Sequence, residues 1–134
     1  MLTVTLDTNI YISALEFGGL PLRLLHMAVD GQIEIAISEP IIDETRRVMR
    51  EKFGRTEERL SEVESWIRSF TRLVTPTQRL DLIKEDPPDN RILECAEASG
   101  SEYIVSGDKD LHRLGQYGGA RVLTVIQMLD AAKV

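Results

Sequence analysis

Residues 3–9, TVTLDTN, decide the fold, because an apolar, β-branched run there ends abruptly in the carboxylate of Asp7. Residues 103–110, YIVSGDKD, repeat the arrangement and place Asp108 directly after a second run of this kind. Short runs rich in Val, Ile and Thr and followed by turn residues are typical of β-strands. The sequence therefore predicts two buried strands that each deliver an acid at the carboxyl end.

Strands and helices alternate along the rest of the chain. Further strands are predicted at 33–38, 71–75 and 120–125, and helices at 8–19, 21–31, 39–53, 57–70, 89–100, 109–114 and 125–133. This alternation indicates a parallel sheet that is covered by helices on both faces. We therefore expect a three-layer α/β/α sandwich, formed by a single domain over residues 1–134.

Composition narrows the class of protein. No apolar run approaches the ~20 residues that cross a bilayer, and the N-terminus lacks the pattern of a secretory signal. The single cysteine, Cys95, excludes an internal disulfide and a cysteine-rich zinc site. The simplest interpretation is a cytoplasmic protein with no membrane association.

The chain is acidic, with 16 Lys and Arg against 22 Asp and Glu and a formal net charge of −6. This balance argues against simple electrostatic binding of RNA or DNA, which favours basic surfaces. It does not exclude a nuclease, because bound cations reverse the local field of an acidic site.

Three acids are predicted to meet at one edge of the sheet. Ligands of open α/β sheets bind outside the carboxyl ends of the strands, where the strand order reverses. Asp7 and Asp108 lie at such ends, and Asp89 begins the helix that leads into the strand before Asp108. We therefore expect these three side chains to share one pocket.

A fourth acid comes from the helix at 39–53. At 100° per residue, the predicted buried stripe consists of Ile41, Ile42, Thr45, Val48 and Met49. Glu44 lies at the margin of this stripe, whereas Asp43 faces the opposite side. Glu44 is therefore the better candidate for the pocket. The basic residues of the same helix, among them Arg47 and Lys52, are interpreted as a solvated surface.

Each acid also has a purely structural interpretation. Asp7 and Asp89 suit helix N-caps, Asp108 suits a turn after Gly107, and Glu44 suits a solvated helix margin. Several carboxylates in one pocket nevertheless repel each other unless protons or cations compensate. Carboxylate oxygens favour Mg²⁺ or Mn²⁺ over zinc, so the cluster is predicted to be a metal site for phosphoryl transfer.

The order of four motifs resembles that of the PIN-domain superfamily. These are LDTN after the first strand, the mid-chain Glu44, DPPDN before a helix, and SGDKDL after a later strand. The family consists mostly of metal-dependent ribonucleases, and many prokaryotic members are VapC-like toxins of toxin–antitoxin pairs. The resemblance implies a five-stranded parallel sheet with a central acidic pocket.

The resemblance also implies roles for individual residues. Asp7, Glu44, Asp89 and Asp108 match the catalytic and metal-binding acids, Asn9 matches the polar residue after the first acid, and Ser106 matches the hydroxyl before the last one. Asp110 and Asp86 are additional candidate ligands, and Asp108 is favoured over Asp110 because it leaves the strand first. Arg91 and Lys109 adjoin two of the acids and are candidates for phosphate binding.

The leading hypothesis is a Mg²⁺- or Mn²⁺-dependent endoribonuclease that acts on RNA. The resemblance further implies a toxin with a cognate antitoxin and a homodimeric state, for which only the Leu60–Phe70 helix hints at a contact surface. Two alternatives stay open. One is a non-catalytic interaction module with a PIN-like fold, and the other is a receiver-like domain that accepts a phosphoryl group.

Overall fold

A computed structural model describes residues 1–133. Six strands in this part of the chain form one sheet: β1 (Thr3–Leu6), β2 (Glu34–Ile37), β3 (Thr71–Leu73), β4 (Tyr103–Val105), β5 (Gln116–Tyr117) and β6 (Ala120–Leu123). Their order is β3-β2-β1-β4-β6-β5, and all neighbours are parallel except β5 and β6. The expected sheet of five parallel strands is therefore present.

The sixth strand corrects the expected strand count. β5 pairs antiparallel with β6 through a two-residue turn at Gly118 and Gly119, whose φ values are 56° and 86°. Glycine tolerates positive φ at both central positions, as tight hairpin turns of this length require. A two-residue strand offers no periodicity, so the sequence pattern did not indicate it.

Seven helices connect the strands in the described residues. They are α1 (Thr8–Phe17), α2 (Gly19–Val29), α3 (Glu39–Phe53), α4 (Glu57–Phe70), α5 (Asp89–Ser99), α6 (Lys109–Leu114) and α7 (Val125–Ala131). Within residues 1–133 no single helix is long and apolar enough to cross a membrane, and α1 and α2 meet that test only as a pair bent by 105°.

The buried face of α3 is the one that the sequence predicts. Its buried residues are Ile41, Ile42, Thr45, Val48 and Met49, while Glu44 is half-buried and Asp43 is exposed. The helix ends at Gly54, which adopts the left-handed conformation that allows the chain to turn away. The rotation of α3 about its axis therefore follows from its apolar pattern alone.

Helices cover both faces of the sheet. The crossovers from β1 to β2 and from β2 to β3 run in one direction, whereas the chain from β3 to β4 and on to β6 runs in the other. Because such crossovers are right-handed, the two groups of helices lie on opposite faces. The direction of the connections thus changes between β1 and β4. The acids meet at the carboxyl ends of these two strands.

The apolar stripe of α4 is buried within its own chain. Leu60, Val63 and Ile67 are at most 3% exposed, and α4 packs against α3 and β3. These three side chains therefore belong to the core, and a contact between two copies of the chain through the Leu60–Phe70 helix stays a prediction.

Candidate metal site

Asp7 follows β1 directly and caps α1. Its Oδ1 accepts a hydrogen bond from the main-chain N–H of Asn9 at 3.4 Å, and its Oδ2 accepts one from the Ser106 hydroxyl at 2.7 Å. Burial raises the pKa of Asp7, and these two hydrogen bonds oppose the increase. Asp7 therefore both caps α1 and lines the acidic pocket.

Asp108 has the same double role at the end of the neighbouring strand β4. Its Oδ1 accepts hydrogen bonds from the main-chain N–H groups of Asp110 at 2.7 Å and Leu111 at 3.2 Å, which caps α6. Its own N–H donates to the Ser106 hydroxyl oxygen at 2.8 Å. Ser106 is fully buried, so a single hydroxyl connects Asp7 to Asp108.

Asp89 is the first residue of α5, and the capping position before it belongs to Pro88. The side chain is only 5% exposed, and its Oδ2 has no hydrogen-bond partner among residues 1–133. Burial raises the pKa of Asp89 to about 8, and the charges of Asp86, Asp108 and Asp7 add to the increase. A buried carboxylate oxygen without a partner is costly unless a cation or a proton meets it.

Asp86 completes a group of three acids with Asp89 and Asp108. One carboxylate oxygen from each of the three lies within 4.8 Å of the others. Burial raises the pKa of Asp86, followed by repulsion from Asp108, Asp110 and Glu44. All donors are oxygens, which suits a hard divalent cation such as Mg²⁺ or Mn²⁺. The residues present therefore fit a divalent metal ion.

Glu44 lies at the same site but is already paired. It lines a cavity of about 240 Å³ together with Asp7, Asp86 and Asp89. Its two carboxylate oxygens accept hydrogen bonds from the Arg47 guanidinium at 2.6 and 3.1 Å. Glu44 thus faces the pocket from α3, where Arg47 compensates part of its charge.

The known family that matches this sequence is the PIN domain, over residues 3–110. This chain belongs to the PIN-domain family. Its fold is similar to that of a chain in the crystal structure of VapBC2 from Rickettsia felis bound to a DNA fragment from their promoter. The TM-score is 0.65 at 15% identity, and the match covers 92% of this chain and 98% of the other. The comparison with curated proteins finds no match.

The strand order separates this PIN domain from a receiver domain. Counted along the chain, the five parallel strands have the order 3-2-1-4-5. Receiver domains have the order 2-1-3-4-5. The receiver-like alternative is therefore wrong, and the acids lie at the switch point of the PIN fold between β1 and β4.

The remaining candidate site residues of the PIN domain differ in exposure and in their bonding partners. Asn9 is exposed and lines the acidic cavity, and Lys109 is exposed at the start of α6 beside Asp108. Asp110 is ion-paired with Arg113 at 3.1 Å. Arg91 is mostly buried, and its guanidinium donates to Glu94 at 2.8 Å and to the carbonyl of Leu80 at 2.7 Å.

Two basic side chains at the cavity are not among the site residues that the sequence predicts. Arg47 and Lys52 line the wall that α3 contributes to the acidic pocket of the PIN domain. On sequence grounds both are interpreted as part of a solvated helix surface. Their spacing from Glu44, at i+3 and i+8, places all three residues on neighbouring parts of one helix face and was the available signal.

Proposed function

We propose that this PIN domain is a divalent-metal-dependent endoribonuclease and the toxin of a toxin–antitoxin pair. The observation that carries the nuclease proposal is the unpartnered, buried Oδ2 of Asp89 within the group of Asp86, Asp89 and Asp108. Family membership supports RNA as the substrate. The proposal keeps Mg²⁺ or Mn²⁺ as the cofactor and includes a cytoplasmic location and a homodimeric state.

The acids have distinct tasks in this proposal. Asp86, Asp89 and Asp108 would hold a divalent ion, with Asp7 and Glu44 beside them at the pocket wall. A bound ion supplies a Lewis acid that lowers the pKa of water and stabilises developing negative charge on phosphate oxygens. The Ser106 hydroxyl orients the Asp7 carboxylate and holds the main chain of Asp108 through its two hydrogen bonds.

Arg47 and Lys52 are the proposed contacts to the RNA backbone. They lie on the wall of a cavity that otherwise carries negative charge, so they offer an anion a favourable approach. Lys109 at the start of α6 is a third proposed contact to the RNA backbone, beside Asp108. Arg91 has a weaker claim, since its side chain is only 18% exposed, against 50% for Arg47.

Cleavage of a fluorescent single-stranded RNA tests the nuclease proposal. We expect cleavage in about 5–10 mM Mg²⁺ or Mn²⁺, a concentration chosen to exceed the dissociation constant of a weak metal site. We expect no cleavage in EDTA. Asp89→Asn should lower the rate by about 100-fold or more, because it removes a ligand charge. Asp43→Asn, which changes an exposed acid on the far side of α3, should leave the rate unchanged.

Equal cleavage by wild type, the EDTA-treated sample and Asp89→Asn would contradict the metal mechanism. Absence of cleavage together with absence of Mn²⁺ binding would instead favour the non-catalytic interaction module. The three-way design therefore separates an inactive pocket from a contaminating nuclease.

Induced expression in a bacterial host tests the toxin proposal, which rests on the likeness to a chain of VapBC2. Wild type should arrest growth, whereas Asp89→Asn at the same expression level should not. Coexpression of the product of a short neighbouring reading frame should restore growth and copurify with the chain. Growth arrest by both variants would contradict a toxic effect that depends on cleavage.

A further inference from the structure

The segment before Asp86 has an uncommon set of hydrogen bonds. We call residues 75–88 the acidic loop, since it carries Asp86 and leads into Asp89. Residues 75–85 belong to no helix or strand, and within residues 1–133 all their main-chain hydrogen bonds go to the side chains of Asn90, Arg91 and Glu94. The main-chain hydrogen bonding of residues 75–85 therefore depends on three residues of α5, in addition to the packing of Ile83 in the core.

Asn90 makes four of the hydrogen bonds that hold the acidic loop. Its Oδ1 accepts from the N–H groups of Leu82 at 2.9 Å and Ile83 at 2.8 Å. Its Nδ2 donates to the carbonyls of Ile83 at 2.8 Å and Pro87 at 3.0 Å. These four bonds use two donors and two acceptors, which is the full capacity of the amide.

The bonds from Asn90 lie on both sides of Asp86 in the chain. Ile83 precedes Asp86 and Pro87 follows it, and both are held by the same side chain. Asn90 is 1% exposed, so its amide has no freedom to bind another group. By contrast, Arg91 and Glu94 hold only Leu80, which lies farther from Asp86 in the chain.

The position of Asp86 requires a restraint of this kind. The charges of Asp108, Asp110 and Glu44 face Asp86 and repel it. The carbonyl of Asp86 accepts a hydrogen bond from the N–H of Asp89 at 3.0 Å, which holds the turn after Asp86. Residues 75–85 have no main-chain partner within residues 1–133, so this part of the loop would relieve the repulsion by moving outward. The four bonds of Asn90 oppose that movement and keep an oxygen of Asp86 within 4.8 Å of those of Asp89 and Asp108.

We propose that Asn90 is a positioning residue that holds Asp86 in the metal site, an inference that rests on the proposed function. Asn90 acts through the acidic loop and contacts neither the metal nor the RNA. Its loss should weaken metal binding without removing any ligand.

A double-mutant cycle on Mn²⁺ binding, measured by electron paramagnetic resonance, tests this inference. Asn90→Ala should weaken Mn²⁺ binding by about tenfold, in the range found for residues that orient metal ligands. Asp86→Asn should weaken it to a similar or greater extent. In the Asp86→Asn background, Asn90→Ala should add less than about a twofold further loss, because its effect passes through Asp86.

Trypsin cleavage after Lys84 in metal-free protein gives a readout that does not depend on metal. Lys84 is an exposed residue of the acidic loop. Asn90→Ala should accelerate cleavage there by about tenfold, since the local opening of the loop becomes easier. Ser101→Ala, which removes hydrogen bonds to Thr5 and Ser99 near the opposite end of α5, is the control and should change neither cleavage nor Mn²⁺ binding.

The outcomes distinguish this inference from the proposed function. If wild type binds no Mn²⁺, the proposed metal site is wrong. If wild type binds Mn²⁺ and Asn90→Ala binds it equally well, or if the two substitutions are additive, the positioning role is overturned. Should Asn90→Ala not fold, Asn90→Ser replaces it with the same expectations, because a serine hydroxyl is too short to connect Ile83 with Pro87.

Discussion

The acidic pocket is built from two regions that hold their acids in opposite ways. Asp7 and Asp108 extend from neighbouring parallel strands, and each accepts hydrogen bonds from main-chain N–H groups of the helix that follows. Asp86 and Asp89 come from the acidic loop and the start of α5, and the Oδ2 of Asp89 has no partner within residues 1–133. The two strand acids thus stabilise the fold as helix caps. Asp89, by contrast, has a buried carboxylate oxygen that no described residue hydrogen-bonds.

This difference indicates how the proposed metal site is made compatible with folding. Helix caps hold two of the carboxylates in place, so their repulsion is partly offset by N–H dipoles. Asp86 lies in a loop that is held by side-chain hydrogen bonds, and Asp89 begins α5 without a side-chain cap. Removal of an acid should therefore have different consequences in the two regions, and the following predictions test this difference.

The largest effect is expected for Asp7, with two substitutions that separate its roles. Both Asp7→Asn and Asp7→Ala should lower RNA cleavage by about 100-fold or more, because each removes a charge at the metal site. Only Asp7→Ala should also lower the free energy of unfolding, by about 1 kcal/mol, since asparagine still caps α1. Cleavage assays and urea denaturation measure the two effects, and equal stability of the two variants would contradict the capping role.

The next effect concerns Asp89 in the absence of metal. Asp89→Asn should raise the free energy of unfolding at pH 8.5 by about 2 kcal/mol, because it removes a buried charge next to other acids. Its amide can also donate to the neighbouring carboxylates. Urea denaturation in EDTA measures this, with the exposed Asp43→Asn as control, and a loss of stability in Asp89→Asn would contradict the prediction.

The pH dependence of metal binding gives the third prediction. Since the pKa of Asp89 is raised to about 8, a proton competes with the metal below this pH. The dissociation constant for Mg²⁺ should increase by about tenfold per pH unit between pH 8 and pH 6, as measured by calorimetry. A constant affinity over this range would contradict the raised pKa.

The raised pKa of Asp89 also determines whether the free energy of unfolding increases or decreases with pH. The folded-state pKa of Asp89 lies above its ordinary value of 3.8, so the protonated form favours the folded state. This contribution is complete below pH 3.8 and is lost as the pH rises through about 8. Metal-free protein should consequently lose stability between pH 6 and pH 8.5, and Asp89→Asn should lose less.

The smallest effect is expected for Ser106, which connects the two strand acids. Ser106→Ala removes the hydrogen bond to Asp7 and leaves the N–H of Asp108 without its acceptor. The free energy of unfolding should fall by about 1 kcal/mol, the usual contribution of a buried hydrogen bond. Ser106→Thr, which retains the hydroxyl, is the matched comparison in thermal denaturation, and equal stability of Ser106→Ala and wild type would contradict the role of Ser106.

The sequence predicted those features that follow from periodicity and from the ends of strands. The apolar pattern of α3 placed its buried stripe correctly, and β-branched runs located the five parallel strands. Since the carboxyl ends of parallel strands share an edge, the meeting of Asp7 and Asp108 also followed. These features depend on local patterns that the sequence displays directly.

The features that the sequence did not predict depend on contacts between side chains and irregular main chain. Asn90 and Glu94 hold the acidic loop, and Arg91 is buried between Glu94 and Leu80. Such contacts have no period and join residues whose relative positions are fixed only after the fold forms. For the same reason, Asp86 was an additional candidate in the sequence, whereas the structure includes it in the group of three.

The helix caps formed by Asp7 and Asp108 also affect how this gene can diverge after duplication. Asparagine caps a helix as well as aspartate does, and a single base change converts the codon of one into that of the other. Under the proposed nuclease function, a copy released from selection for catalysis can therefore lose its activity through changes at these two positions and remain a folded protein. Inactive paralogues with asparagine at one or both positions are the descendants that this architecture permits at the lowest cost in stability.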